Sequence, residues 1–441
     1  MKEFLKKNNL LILLSILILG FFLRSENLNT WPREGSTFDE FAWTWQGVNL
    51  IQTGVPKSWS PHSQYKNRQE IRYRKAAFIL VTPYLEHPPV FGLVAGSYAI
   101  LSGVQDMYHV TIQNMRGLSL ILGMLSIVMV FLLAKELYDT KIALLSSLLY
   151  ATTPTIVIGS RIVQNENFFI PFFLLVLFLI SRFIKTKNSL FRNVAAVICG
   201  LLALSKVPFL AAAVAVVGIL LYFKMYKDVG KFLAIVIPLF SLFFVYGFYY
   251  DWDLFIGLWK LQLARYDLTF NSVFALFTKP YLIDRIYIDG WIFWGWISFF
   301  LLLVKENKKN IILIAGVLGY LLVFFAGIPD EPGHGWYRYP FYPFLIMSTA
   351  LFLREYFAKN IFLTFLFLIF VGSSLLQLSF GAVFGFSYVL FRLSIIGWVL
   401  TLFPLVFENK KISRFSQALS FTWIFVFIAL NIWVAMLYNE Q

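Results

Sequence analysis

Charge is what this sequence has least of. Only 14% of its 441 residues are Asp, Glu, Lys or Arg, against roughly 25% in an ordinary soluble domain, which excludes a soluble enzyme. The charges fall in short clusters between long uncharged runs. With 49 Phe, 22 Tyr and 13 Trp, the chain carries more aromatic surface than a water-soluble core of this size can hide. Cysteine is nearly absent too. The one copy, Cys199, sits inside an apolar run, so it forms no intrachain disulfide and no cysteine cluster for a metal. Gly/Ser linkers, low-complexity tracts and repeats of fixed period are missing, and residues 1–441 read as a single membrane domain. After MKEFLKKNNLLILLSILILGFFL no small-x-small cleavage site follows, so this opening is expected to stay as a first span. The chain has 37 Lys and Arg against 23 Asp and Glu, a balance that in a soluble protein would suggest nucleic acid. Here the distribution of the charges points to membrane topology, and no nucleic-acid partner is expected.

What is abundant is apolar sequence in span-sized pieces, each close to the about 20 residues needed to cross lipid. Thirteen runs lie near 8–24, 116–134, 142–159, 167–181, 193–207, 208–223, 232–249, 291–304, 311–328, 340–353, 361–379, 384–406 and 417–437. Residues 88–103 are apolar but short, and they begin with two prolines. If they lie in the interface rather than span, the seven segments assigned to the inside hold 20 Lys and Arg against 7 Asp and Glu, as the positive-inside rule requires. The expected architecture is therefore an all-α polytopic membrane protein of about 13 transmembrane helices, N-terminus inside, in a plasma membrane. Two extracytoplasmic loops, about 25–115 and 250–290, are large. Seven Trp (31, 43, 45, 59, 252, 259 and 336) fall in outer loops, suited either to sugar stacking or to an interfacial aromatic belt. Five basic residues of the first loop (Lys66, Arg68, Arg72, Arg74, Lys75) lie in a segment too long for the positive-inside rule to count.

The unusual polar residues near membrane depth all fall at the outer face on this topology, and such groups are functional candidates by default. Asp39 and Glu40 are adjacent, so on a helix they point about 100° apart and cannot share one proton-transfer task. One can act on a substrate while the other positions something, or Thr37 or Asp39 simply caps the helix. In Glu86-His87-Pro88-Pro89 the prolines fix an extended approach to the short apolar segment, and His87 either holds a phosphate or carboxylate or caps that helix. Glu166 starts the fourth span and Arg161 ends the third, so one outer turn offers an acid and a base. Lys206 separates two apolar runs, with Pro208 forcing the turn, and has no acidic residue within 20 positions. Its partner must come from elsewhere in the fold or from a lipid phosphate, which a lysine suits as a point charge; snorkelling to the interface is the alternative. Arg338 lies between Tyr337 and Tyr339, placed for bidentate phosphate contact or ring stacking. His334, near Asp330 and Glu331, is weak evidence for a metal.

FDE after the first span, HPP later in the same loop, the span MRGLSLILGMLSIVMVFLLAKELY, an acid opening the fourth span, LALSK at an outer turn and RYPFYP near residue 340 come in a recognisable order. Over roughly residues 1–350 the chain resembles the protein O-mannosyltransferase and aminoarabinose (lipid A) transferase superfamily, polytopic glycosyltransferases of the type-C fold that use polyprenyl-phosphate-linked sugars. The resemblance implies a membrane glycosyltransferase with interfacial helices in its first loop. Asp39 would be the base for the acceptor hydroxyl, Glu40 and Glu166 would position sugar or acceptor, Lys206 would meet the lipid phosphate, Arg338 with Tyr339 would lie near the carrier, and His87 would be positional. Val207 stands where that family has glycine, and residues 355–441 match no motif. The expected partners are a polyprenyl-phosphate sugar donor, membrane lipids and a glycan, lipid or protein acceptor, with no cofactor and no metal. The competing classes are a transporter or flippase of a lipid-linked glycan, which would show paired broken helices, and a glycan polymerase or ligase, whose large loop would come late.

Overall fold

Lipid offers the backbone no hydrogen-bond partners, so apolar runs in it must satisfy their own amides and carbonyls as helices. The computed structural model describes residues 2–74, 76–264, 276–277, 289–304, 308–327, 335–379 and 387–438. A helix occupies each of the thirteen runs: α1 (Lys2–Ser25), α4 (Ile112–Leu137), α5 (Thr140–Thr152) with α6 (Pro154–Gly159), α7 (Asn165–Thr186), α8 (Ser189–Ala203), α9 (Ala211–Tyr222), α10 (Tyr226–Tyr250), α12 (Gly290–Val304), α13 (Ile311–Gly327), α14 (Tyr342–Glu355), α15 (Ile361–Ser379), α16 (Tyr388–Leu400) and α17 (Lys410–Leu437). Two helices, α2 (Asp39–Thr53) and α3 (Val90–Leu101), belong to the first large loop, and α11 (Trp252–Ala264) follows α10. Among the described residues seven helical stretches are long and apolar enough to cross a membrane, and five apolar helices, α3, α8, α9, α12 and α15, are shorter. The chain is an integral membrane protein. The run 142–159, expected as one span, is two helices, because Pro154 restricts the residue before it and has no N–H to continue the ladder.

Four of the segments expected inside, 135–141, 182–192, 224–231 and 354–359, share one end of the bundle. Glu136, at the end of α4, pairs with Arg182 (3.5 Å) and Lys185 (2.8 Å) at the end of α7. Asp139 pairs with Arg354 at the end of α14, and Arg192 at the start of α8 pairs with Asp228 at the start of α10. The start of α7, the end of α8 and the first loop therefore lie at the other end, where the candidate site residues are.

One element was not foreseen in the sequence. The first loop contains an antiparallel sheet of β1 (Ser58–Trp59), β2 (Arg68–Tyr73) and β3 (Ala76–Val81), in the order β1-β3-β2. Phe78 and Tyr73 on one face of it meet Phe41 and Trp45 of α2 in edge-on ring contacts, with Trp45 to Phe78 at 5.1 Å. The other side of α2 lies against α3, where a Cβ on Gly47 would stand 1.7 Å from the Gly92 carbonyl oxygen and one on Gly96 2.3 Å from the Gly47 carbonyl carbon. Only glycine allows this approach, and the atoms that would be struck are backbone. Gly47→Ala should therefore cost about 3 kcal/mol through overpacking, read as a lowered melting midpoint in detergent; an unchanged midpoint would contradict the contact.

Candidate active site

Asp39 is the first residue of α2 and Glu40 the second, and the roughly 100° between them on the helix separates their surroundings. Glu40 is fully buried. Its carboxylate accepts two bonds from Arg116 (Nε to Oε1 3.0 Å, Nη2 to Oε2 2.8 Å) and a third from the Val163 amide (2.9 Å). Arg116 also donates to the carbonyls of Leu28 (3.0 Å) and Pro32 (2.6 Å), so one ion pair joins α2, α4, the chain after α1 and the turn before α7. Asp39 instead faces a cavity. Gln164 steers it from that same turn: its Nε2 donates to Asp39 Oδ2 (3.3 Å) and Thr37 Oγ1 (3.0 Å), while its Oε1 accepts from Trp43 Nε1 (3.2 Å).

The Lys206 turn is fixed by its neighbours. The Val90 amide at the start of α3 donates to the Leu204 carbonyl (3.0 Å), and Asn165 Nδ2 donates to the Ser205 carbonyl (3.1 Å). These bonds bring the HPP segment and the start of α7 to the same place. Lys206 Nζ lies 2.6 Å from Glu166 Oε1 and 4.3 Å from the Tyr337 ring centre. Burial disfavours the ammonium, but Glu166, then Tyr337 and Asp39, outweigh that penalty, and the lysine pKa lies above its ordinary value. A lysine has three N–H donors, so one bond to Glu166 leaves it able to serve a ligand.

The cavity between these elements has a volume of about 610 Å³, within the usual size of a ligand site. Asp39, Trp43, His62, Tyr84, Glu86, His87, Lys206 and Tyr337 form its polar part, and Leu210, Val214, Leu263 and Val323 an apolar part. Val214 and Leu263 in that apolar part are exposed rather than packed. Glu86 lies 3.5 Å from His62 Nε2. Burial, and next the Glu86 charge, push the phenols of Tyr65 and Tyr84 well above the ordinary tyrosine range, so both stay protonated beside that carboxylate. The His87 ring packs edge-on against Trp43, with centres 4.8 Å apart.

Of the residues singled out in the sequence, Asp39, His87 and Lys206 line the cavity, and Glu166 holds Lys206 from behind. Glu40, Arg338 and Tyr339 are buried and are not in its wall. Arg338 follows the lining residue Tyr337, and Tyr339 packs against Gly159, where a Cβ would stand 2.7 Å from its ring. Arg161, the base offered by the turn that also holds Glu166, is buried and donates to the carbonyls of Leu23 and Ala435, each at 2.8 Å. Trp43, Trp59 and Trp259 line the cavity, whereas Trp31 and Trp45 are core. Asp330, Glu331 and His334 lie outside the described residues. Sequence reasoning missed Gln164, His62 and Glu86; the polar run QNEN at a span start signalled the first, and Glu86 stood beside the chosen His87.

Residues 86–247 match the family model described as dolichyl-phosphate-mannose-protein mannosyltransferase, a segment that includes His87, Glu166 and Lys206. No curated protein matches the chain. Among solved structures, ArnT from Cupriavidus metallidurans bound to undecaprenyl phosphate superposes with a TM-score of 0.56 at 14% identity, covering 96% of this chain and 76% of that one. The oligosaccharyltransferase AglB from Archaeoglobus fulgidus, in complex with an inhibitory peptide and a dolichol-phosphate, gives 0.55 at 11% identity, covering 99% and 57%. Arabinosyltransferase EmbB from Mycobacterium smegmatis gives 0.52 at 12%, covering 97% and 40%. The chain thus has the type-C glycosyltransferase fold, and residues 86–247 within it are similar to the dolichyl-phosphate-mannose-protein mannosyltransferase model.

Proposed function

We propose that the protein transfers a sugar from a polyprenyl-phosphate donor to a hydroxyl on an extracytoplasmic acceptor. The observation that carries this reading is one cavity with a carboxylate, Asp39, and an ammonium, Lys206, in its polar part and an apolar part of Leu210, Val214, Leu263 and Val323 beside it. A lipid-linked sugar phosphate has the same division of chemistry. Its isoprenoid chain would lie along Leu210, Val214 and Val323, its phosphate at Lys206, and its sugar among Trp43, Tyr84, Glu86 and His87.

The reaction is one displacement at the anomeric carbon. Asp39 takes the proton from the incoming hydroxyl as the oxygen attacks, and the bond to the phosphate oxygen breaks. Charge grows on the leaving phosphate, and Lys206, held in place before the reaction by Glu166, stabilises it more in the transition state than in the ground state. Arg338, one residue beyond Tyr337, adds positive potential from outside the wall. Glu40 acts through Asp39 by fixing the start of α2. One base and no covalent intermediate give inversion of the anomeric configuration, and a monophosphate donor requires no metal to bridge a diphosphate.

Lys206→Ala should weaken the apparent affinity for the donor at least about tenfold, the scale of a hydrogen bond to a charged group, with acceptor dependence little changed. Unchanged donor kinetics would refute the phosphate role. Because the pKa of Lys206 is raised, its charge persists below that value, and donor affinity should stay flat from about pH 7 to about pH 9. A steep loss across that window would mean that another group carries the phosphate.

A further inference from the structure

The basic cluster of the first outer loop has no part in the chemistry described so far. From Lys57 to Lys75 the sequence has six Lys and Arg and a single acidic residue, Glu70. The fold arranges part of this excess on a rigid face. Strand β2 is an edge strand; Ile71 and Tyr73 point toward the α2 side, where Tyr73 contacts Phe41 and Trp45. Side chains alternate along a strand, so Arg68, Glu70 and Arg72 share the opposite face. All three are exposed, as is Lys66 just before the strand. Arg74 is neutralised by Glu34, but Lys66, Arg68 and Arg72 have no ion-pair partner among the described residues.

On the central strand, Ile79 and Val81 stand opposite Glu70 and Arg68 on this same face, and they pack in one apolar cluster with Tyr84, Val207 and Trp259, which line the cavity. Tyr65, the neighbour of Lys66, is buried beside Glu86, with its hydroxyl accepting from the Leu85 amide at 3.2 Å. A surface meant to sit among lipid headgroups combines basic residues with large apolar ones that enter the acyl boundary. The exposed residues of β2 are Arg68, Gln69, Glu70 and Arg72, with no such anchor.

We propose that the β2 face is a docking surface for a polyanionic acceptor, a glycopolymer bearing phosphodiester or carboxylate groups. Its chain lies along Lys66, Arg68 and Arg72 while one of its hydroxyls enters the cavity past His62 and Trp259. This rests on the transferase reading, and the test separates the two. The full-length protein in phosphatidylcholine nanodiscs is titrated with fluorescent poly(glycerol phosphate) and, separately, with a polyprenyl phosphate. The triple variant Lys66→Gln/Arg68→Gln/Arg72→Gln is expected to bind the polymer roughly tenfold more weakly and to lose most of the salt dependence. Its polyprenyl-phosphate affinity should not change, which also reports that it is folded. Lys206→Ala should do the reverse. The charge-keeping pair Arg68→Lys/Arg72→Lys should bind the polymer as the parent does. Equal polymer binding by the triple variant overturns the docking face, as does polymer binding that disappears when the discs contain phosphatidylglycerol, which would put lipid headgroups there. Failure of the polyprenyl phosphate to bind any form would refute the transferase reading, and the assignment of an acceptor to this face would fall with it.

Discussion

Asp39→Asn is expected to reduce sugar transfer about 10³-fold while leaving donor affinity within a few fold. General-base catalysis contributes typically 10²–10⁴-fold, and asparagine keeps the size of the side chain while removing its ability to take a proton. The start of α2 should hold, because Gln164 can still bond the side chain at position 39 and the Glu40–Arg116 pair is untouched. The readout is turnover with a polyprenyl-phosphate sugar in vitro, beside a donor-binding measurement on the same sample. Transfer that survives within a few fold removes Asp39 as the base. A matching loss of donor affinity would instead make it a binding residue.

The second large effect is on stability. Arg116→Ala leaves Glu40 fully buried without its cation, and breaking a buried ion pair from one side costs about 3–5 kcal/mol. It also takes donors from the Leu28 and Pro32 carbonyls. The variant should melt well below the parent, or fail to accumulate in membranes. Glu40→Gln is milder, since an amide oxygen can still accept from Arg116 and from the Val163 amide. If Glu40 works by holding Asp39, Glu40→Gln lowers turnover and melting point together and leaves KM for the donor alone. A rise in donor or acceptor KM with normal stability would place Glu40 on the substrate.

Much of the fold is legible in the sequence because lipid makes helix the only solution for a long apolar run, and every run is helical, with only 142–159 divided in two at Pro154. The turn at Lys206 is equally plain, since Pro208 and a lone charge between two apolar stretches allow little else. What could not be read is long-range pairing. Lys206 was seen to need a partner, but Glu166 is 40 positions away, and Arg116 reaches Glu40 across 76. Arg161 and Glu166 share one turn of the sequence, yet Arg161 secures the ends of α1 and α17. The sheet was missed because RQEIRY is short and polar on one face, and it becomes a strand by packing Tyr73 on α2. His62 reached the cavity by that same sheet.

The most direct measurement is a cryo-electron microscopy structure of the full-length protein with a bound polyprenyl-phosphate sugar. The expected result has a phosphate oxygen within about 3 Å of Lys206 Nζ, the isoprenoid chain leaving past Val214 and Val323, and the sugar's anomeric carbon facing Asp39. A phosphate held at the other end of the bundle, near Glu136 and Arg182, or a donor seated with Asp39 out of reach of the anomeric carbon, would contradict it.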